Sequence, residues 1–123
     1  MTKILIVEDE LTLNKALEEF LVEEKFEVFS AFDGEDGIKM AKEKSPDLIL
    51  LDIILPKKDG FEVLDYLKLD KKTQKIPVVL LTNLESAEDI EKAFNKGATT
   101  YLVKANYRLE DIVKKIKETL KCA

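Results

Sequence analysis

Histidine is absent from the 123 residues. That one absence removes Ser-His-Asp triads, His-ligated zinc and phosphohistidine carriers together. Cysteine is nearly absent as well. Cys122, beside the C-terminus, has no partner for an internal disulfide, which suits a reducing compartment and reads otherwise as a spectator thiol. No apolar run approaches the roughly 18–20 residues that a helix needs to span a bilayer. Met1-Thr2-Lys3 leads straight into a short apolar stretch, unlike a leader peptide with its longer apolar region and small-residue cleavage site. Glycine is scarce, and neither GxGxxG nor GxxxxGK occurs, which removes the common nucleotide loops. Positive charge is in deficit: 20 Lys and Arg stand against 25 Asp and Glu, for a net charge of −5. Such a chain lacks the electrostatic footprint of a nucleic-acid binder. The expectation is a cytoplasmic protein with no direct nucleic-acid or membrane partner.

What is present is a regular alternation. Five short apolar runs, Lys3–Val7, Glu27–Ala31, Leu48–Asp52, Val78–Thr82 and Thr100–Val103, alternate with five amphipathic stretches. Three of the runs (ILIV, LILL and VVLL) are apolar at consecutive positions, as expected of parallel strands covered on both faces. Between them the period is helical. Leu13, Ala16, Leu17, Phe20 and Leu21 make one stripe; Ile38 and Ala41 mark a second helix after Asp33-Gly34, and Val63, Leu64 and Leu67 a third after Asp59-Gly60. A fourth opens on a capping arrangement at Ser86 to Asp89, points Ile90, Ala93 and Phe94 inward, and stops at Gly97. Leu109, Ile112, Val113, Ile116 and Leu120 make the fifth. One domain over residues 1–123 follows, with no linker or repeat. Its class is α/β: a flavodoxin-like, doubly wound (βα)5 sandwich on a five-stranded parallel sheet in the order 2-1-3-4-5.

In open α/β sheets, ligands bind beyond the carboxyl ends of the strands, at the switch in strand order. The residues there are chemical. Strand one ends in Glu8-Asp9, strand three at Asp52, strand four at Thr82 and strand five at Lys104. Two carboxylates about 5 Å apart repel by roughly 3 kcal/mol at an effective dielectric of 20. Three must therefore raise their pKa values or hold a cation. Oxygen ligation by carboxylates, a backbone carbonyl and water suits Mg²⁺, or Mn²⁺ in its place. One of the adjacent pair Glu8 and Asp9 would ligate directly and the other through water. A carboxylate that attacks phosphorus gives an acyl phosphate, and Lys104 and Thr82 would then bond phosphoryl oxygens. Singly, each residue has an ordinary explanation: Asp9 as a helix cap, Thr82 as a strand residue, Lys104 as a solvated end. Tyr101 reads equally well as a half-buried core aromatic or as a moving part.

Together these residues resemble the receiver domain of two-component response regulators, in the stand-alone form typified by chemotaxis regulators. The resemblance covers essentially the whole chain. It rests on Ile4-Leu5-Ile6-Val7-Glu8-Asp9-Glu10, on Asp47-Leu48-Ile49-Leu50-Leu51-Asp52 with Pro56 and Asp59-Gly60, on Leu81-Thr82, and on Gly97-Ala98 leading to Tyr101-Leu102-Val103-Lys104. It implies phosphotransfer from a histidine kinase or histidine phosphotransfer protein to Asp52. Mg²⁺ would be held by Glu8, Asp9, Asp52 and the carbonyl of Ile54. It implies a switch in which Thr82 moves toward the phosphoryl group and Tyr101 turns inward behind it. The surface so altered would be the fourth helix, fifth strand and fifth helix, with Glu88, Lys92, Arg108 and Asp111. Kinases would dock near Leu11, Asn14 and Lys15 and near Ala105 to Tyr107. Such a domain assists its own phosphorylation and dephosphorylation without being an enzyme in the usual sense. It would act as a monomer or a phosphorylation-dependent homodimer. With no output domain in the sequence it would signal by contact, as a stand-alone regulator or phosphate relay, or would be one domain of a longer protein.

Two positions depart from the family pattern. Ala105 follows the lysine where a cis-proline is usual. A cis bond before a non-proline costs about 2.5–4 kcal/mol, so a trans bond and a rearranged loop are expected. Asn83 follows Thr82 where a smaller residue is common; with Ile54 and Leu84 it is expected to alter the lifetime of the acyl phosphate. The main rival is a phosphorylation-independent interaction module of the same fold, against which the intact set Glu8, Asp9, Asp52, Thr82 and Lys104 argues. A flavin-binding enzyme fits less well, because the acidic, glycine-free loop Glu8 to Thr12 would repel a cofactor phosphate.

Overall fold

In a computed structural model, residues 1–122 are described; the side chain of Cys122 and residue 123 lie outside the description. Strands β1 (Lys3–Val7), β2 (Glu27–Ala31), β3 (Leu48–Leu51), β4 (Val78–Thr82) and β5 (Thr100–Val103) alternate with five helices. These are α1 (Leu11–Glu23), α2 (Gly34–Lys44), α3 (Gly60–Leu69), α4 (Ala87–Asn95) and α5 (Leu109–Cys122). All strand pairs are parallel, in the order β2-β1-β3-β4-β5. The flavodoxin-like sandwich expected from the alternation is the fold observed.

The continuous apolar runs have a direct cause. Side chains alternate across a strand, so Leu5, Val7, Ile49, Leu51, Val78 and Leu80 join one cluster, which Ala41, Leu64, Leu67 and Ala93 cover from α2, α3 and α4. Ile4, Ile6, Leu48, Leu50, Val79 and Leu81 join the other, under Leu17 and Leu21 of α1 and Ile112, Val113 and Ile116 of α5. Over β1, β3 and β4 both faces of the sheet are covered, which is why those strands are apolar at consecutive positions.

Helix starts follow local chemistry. Asp33, Asp59 and Ser86 each accept a hydrogen bond from the backbone N–H three residues on, at 2.8, 2.9 and 3.1 Å. Gly97 ends the α4 turn at φ 103°, a conformation that costs glycine little. Gly60 answers a different need. A Cβ there would collide with the Asp52 carbonyl oxygen, so only glycine lets α3 begin against the end of β3.

Two expectations need correction. Phe94 is not inward: it is 46% exposed, because α4 buries only Ala93 and its contact stripe is too narrow to include the next position. Strand β3 stops at Leu51, one residue short of the expected end, so Asp52 lies just past the regular ladder. Among the described residues no peptide bond is cis, so Lys104–Ala105 is trans as expected, and the chain there turns through a short 3-10 segment, Lys104–Asn106. Among the described residues no helix is long and apolar enough to cross a membrane.

Candidate functional site

Strand register gathers the site. Val7 stands opposite Leu51 and Thr82 opposite Val103, so the residues that follow, Glu8, Asp52 and Lys104, leave the sheet at one edge. Ladder-like bonds continue one step further. The Glu8 N–H donates to the Ala31 carbonyl and the Asp52 N–H to the Val7 carbonyl, each at 3.0 Å. Glu8 and Asp52 are consequently 3% and 5% exposed, whereas Asp9, one residue later, faces solvent.

Lys104 is the centre of charge. Its Nζ lies 2.8 Å from Glu8 Oε1 and 2.9 Å from Asp52 Oδ2. Burial pulls its pKa down, but the hydrogen bonds to Asp52 and Glu8 outweigh that and hold it above the ordinary lysine value. Glu8 goes the other way. Burial lifts its pKa above the usual carboxylate value, against the lowering effect of Lys104 and of the Glu10 N–H that donates to Oε2 at 3.0 Å. One ammonium does not neutralise three carboxylates.

The remaining charge has the form of a cation site. Glu8, Asp9 and Asp52 each offer a carboxylate oxygen, and the three lie within 4.8 Å of one another. An all-carboxylate set with an exposed member suits a hard, partly hydrated ion such as Mg²⁺. The residues fit the group that the sequence implies. At Asp52 the second carboxylate oxygen, Oδ1, accepts from the Ile54 N–H at 3.3 Å.

Thr82 and Tyr101 meet through one peptide segment. The Thr82 hydroxyl, fully buried, accepts from the Leu84 N–H at 3.4 Å, and the Tyr101 hydroxyl donates to the Leu84 carbonyl at 2.7 Å. Burial first, and then Asp89 and Asp52, push the Tyr101 phenol above its usual pKa. Its ring is half-buried against the core cluster beneath α4, which agrees with the core-aromatic reading of the sequence. Leu84 carries no chemical side chain, and no sequence signal pointed to its backbone.

Of the expected docking residues, Leu11 is 68% exposed and Lys15 is exposed, but Asn14 is 1% exposed. Asn14 is therefore removed from the docking surface: its amide faces the sheet, not solvent. A polar residue amid the stripe Leu13, Ala16 and Leu17 was the available signal. On the other side of the site, Glu88, Lys92, Arg108 and Asp111 are all exposed. The Lys92 ammonium sits 4.2 Å from the centre of the Phe61 ring.

This arrangement of sheet edge, acid cluster and bridging lysine defines a class, and sequence comparison gives the same one. The model of the response regulator receiver domain matches residues 4–117, so the chain belongs to that family. Over 121 residues it is 42% identical to the transcriptional regulatory protein CiaR of Streptococcus pneumoniae, covering 98% of this chain and 52% of that protein. Over 102 residues it is 41% identical to the response regulator PleD of Caulobacter vibrioides, covering 83% of this chain and 22% of that one. The chain spans about half the length, or less, of such curated relatives. Among solved structures, a CheY-like receiver protein of Methanospirillum hungatei superposes with a TM-score of 0.90 at 30% identity, covering 98% and 94% of the two chains. The chemotaxis protein CheY4 of Vibrio cholerae gives 0.90 at 27%, covering 97% and 98%.

Proposed function

We propose that Asp52 is the phosphoryl acceptor of a two-component signalling switch. The observation that carries this reading is the Lys104 ammonium bridging Asp52 and Glu8 beside the three-carboxylate cluster. An oxygen of Asp52 attacks phosphorus, the bond from phosphorus to the donor breaks, and the electron pair leaves with the donor. From a phosphohistidine the leaving group is an imidazole, which takes up a proton. Divalent metal, held by Glu8, Asp9, Asp52 and the Ile54 carbonyl, would supply charge neutralisation for the developing phosphoryl oxygens. Lys104 stays close to Asp52 and pairs with the phosphoryl group once it arrives. Thr82 gives up the Leu84 N–H and donates its own hydroxyl to another phosphoryl oxygen.

That exchange is how the signal leaves the site. Leu84 is held by Thr82 on one side and Tyr101 on the other, so a moving Thr82 hydroxyl alters the loop before α4. The outward face is α4, β5 and α5, with Glu88, Lys92, Arg108 and Asp111 available to a downstream protein or a second copy. The donor is a histidine kinase or histidine phosphotransfer protein that approaches by Leu11 and Lys15 and by Ala105 to Tyr107. Asn83, exposed at the mouth of the site, sets the lifetime of the acyl phosphate together with Ile54 and Leu84.

The test is incubation with Mg²⁺ and acetyl phosphate, followed by intact mass and peptide mapping. Wild type should gain one phosphoryl group at Asp52, and both Asp52→Ala and chelation of the metal should abolish the gain. Wild type that stays unmodified, or an Asp52→Ala variant that is modified as well as wild type, would sink the reading.

A further inference from the structure

We propose that Asn14 is a positioning residue that places the Asp9 carboxylate for divalent-cation binding. The inference rests on the metal-dependent reading of the site given above. β1 ends at Val7, so the Glu8 carbonyl lies past the ladder. A buried carbonyl without a partner costs free energy comparable to a lost hydrogen bond. Asn14, in the first turn of α1, meets that need: its Nδ2 donates to the Glu8 carbonyl at 2.9 Å and reaches the Ala31 carbonyl at 3.5 Å. The orientation of the amide is fixed from the other side, because the Ser30 hydroxyl donates to Asn14 Oδ1 at 2.7 Å. The same hydroxyl lies 3.1 Å from Glu18 Oε2, which completes the anchor on α1.

The Glu8 carbonyl belongs to the peptide that joins Glu8 to Asp9. Holding that plane sets the direction in which Asp9 leaves the strand. The two acids differ in what else restrains them. Glu8 has Lys104 and the Glu10 N–H on its carboxylate, whereas the Asp9 carboxylate, among the described residues, makes no hydrogen bond or ion pair with the protein. No side-chain partner sets its distance from Glu8 and Asp52, so where the backbone launches the side chain matters most, and Asn14 pins that backbone at the Glu8 carbonyl. Groups that orient metal ligands without touching the metal commonly change affinity by about 10–100-fold when removed.

The experiment is Mg²⁺ titration of the full chain, followed by backbone amide NMR shifts, on wild type, Asn14→Leu, Ser30→Ala and a control, Thr73→Val. Thr73 is as buried as Asn14, and its hydroxyl donates to the Leu67 carbonyl at 2.7 Å, so the control loses a buried hydrogen bond outside the cluster. Asn14→Leu should bind Mg²⁺ about 10–100-fold more weakly, Ser30→Ala should fall between it and wild type, and Thr73→Val should match wild type. With acetyl phosphate, the Mg²⁺ concentration for half-maximal rate should rise in Asn14→Leu, while the rate at saturating Mg²⁺ stays within about threefold of wild type. A folded Asn14→Leu that binds as tightly as wild type overturns the proposal, as does a Thr73→Val weakened equally. If Asn14→Leu does not fold, Ser30→Ala decides, and unchanged affinity there overturns it. Wild type that takes up no Mg²⁺ overturns the parent reading and this one with it.

Discussion

Helices α1 and α4 cover opposite faces of the same sheet, yet different forces hold them. α1 lays Leu17 and Leu21, both fully buried, against the sheet and adds the Asn14 tie to the end of β1. α4 buries only Ala93. It meets α3 through polar edges, with Lys92 over Phe61 and Lys96 paired with both carboxylate oxygens of Asp65. Close-packed apolar contacts forfeit much of their energy over fractions of an ångström. Exposed ion pairs and cation–π contacts are weak and tolerate displacement. The lesson is a division of labour: the helix beside the acid cluster is fixed, and the helix that would report the signal is loosely held.

The sharpest way to break this comparison is to truncate one apolar side chain on each helix. Leu17→Ala should cost about 2–5 kcal/mol in urea unfolding. Phe94→Ala, on the exposed side of α4, should stay within about 0.5 kcal/mol of wild type. Equal losses would mean that α4 packs as tightly as α1.

A second prediction sharpens the contrast at the site itself. Because the folded-state pKa of Glu8 lies above its unfolded value, its contribution is most favourable while it is protonated, below the unfolded carboxylate range. That contribution is lost as pH rises through the folded value. In metal-free protein Glu8→Gln should therefore raise Tm at neutral pH, and the gain should vanish at low pH, where Glu8 is already neutral. Saturating Mg²⁺ should reverse the order. At a hundredfold excess over its Kd the ion would stabilise wild type by about 2.7 kcal/mol, and a variant lacking the Glu8 carboxylate would gain less. Thermal unfolding with and without chelator at several pH values checks both signs.

A smaller effect than that of the Leu17 truncation is expected at the joint between the two regions. Tyr101→Phe removes only the hydroxyl that donates to Leu84, and should cost about 1 kcal/mol. Faster amide exchange should follow in residues 83–95 but not in α1. Exchange that quickens equally in both helices would show that Tyr101 is a general packing residue.

Much of this was legible before any coordinates. Runs such as Leu48-Ile49-Leu50-Leu51 have no polar face, so they fit only a sheet covered on both sides. The acids after β1 and β3 stood out because they end apolar runs. Phe94 misled, since helical spacing tells which residues share a face but not how wide a stripe the neighbouring elements will cover. Asn14 misled for the converse reason. An amide near a helix start reads as surface unless the unpaired carbonyl waiting beneath it is known.

The sequence by itself determined the alternation of strands and helices, the continuous apolar strands and the acids, threonine and lysine at the strand tips, because these depend on short-range periodicity and on the chemistry of single residues. Tertiary structure alone decided that one ammonium bridges Glu8 and Asp52, that Leu84 joins Thr82 to Tyr101, and that Asn14 faces the Glu8 carbonyl. The Lys104 and Tyr101 contacts depend on strand register and crossover, which bring groups far apart in the chain to within a hydrogen-bond length, and the Asn14 contact depends on how α1 packs back over the end of β1. No local pattern encodes a distance of that kind.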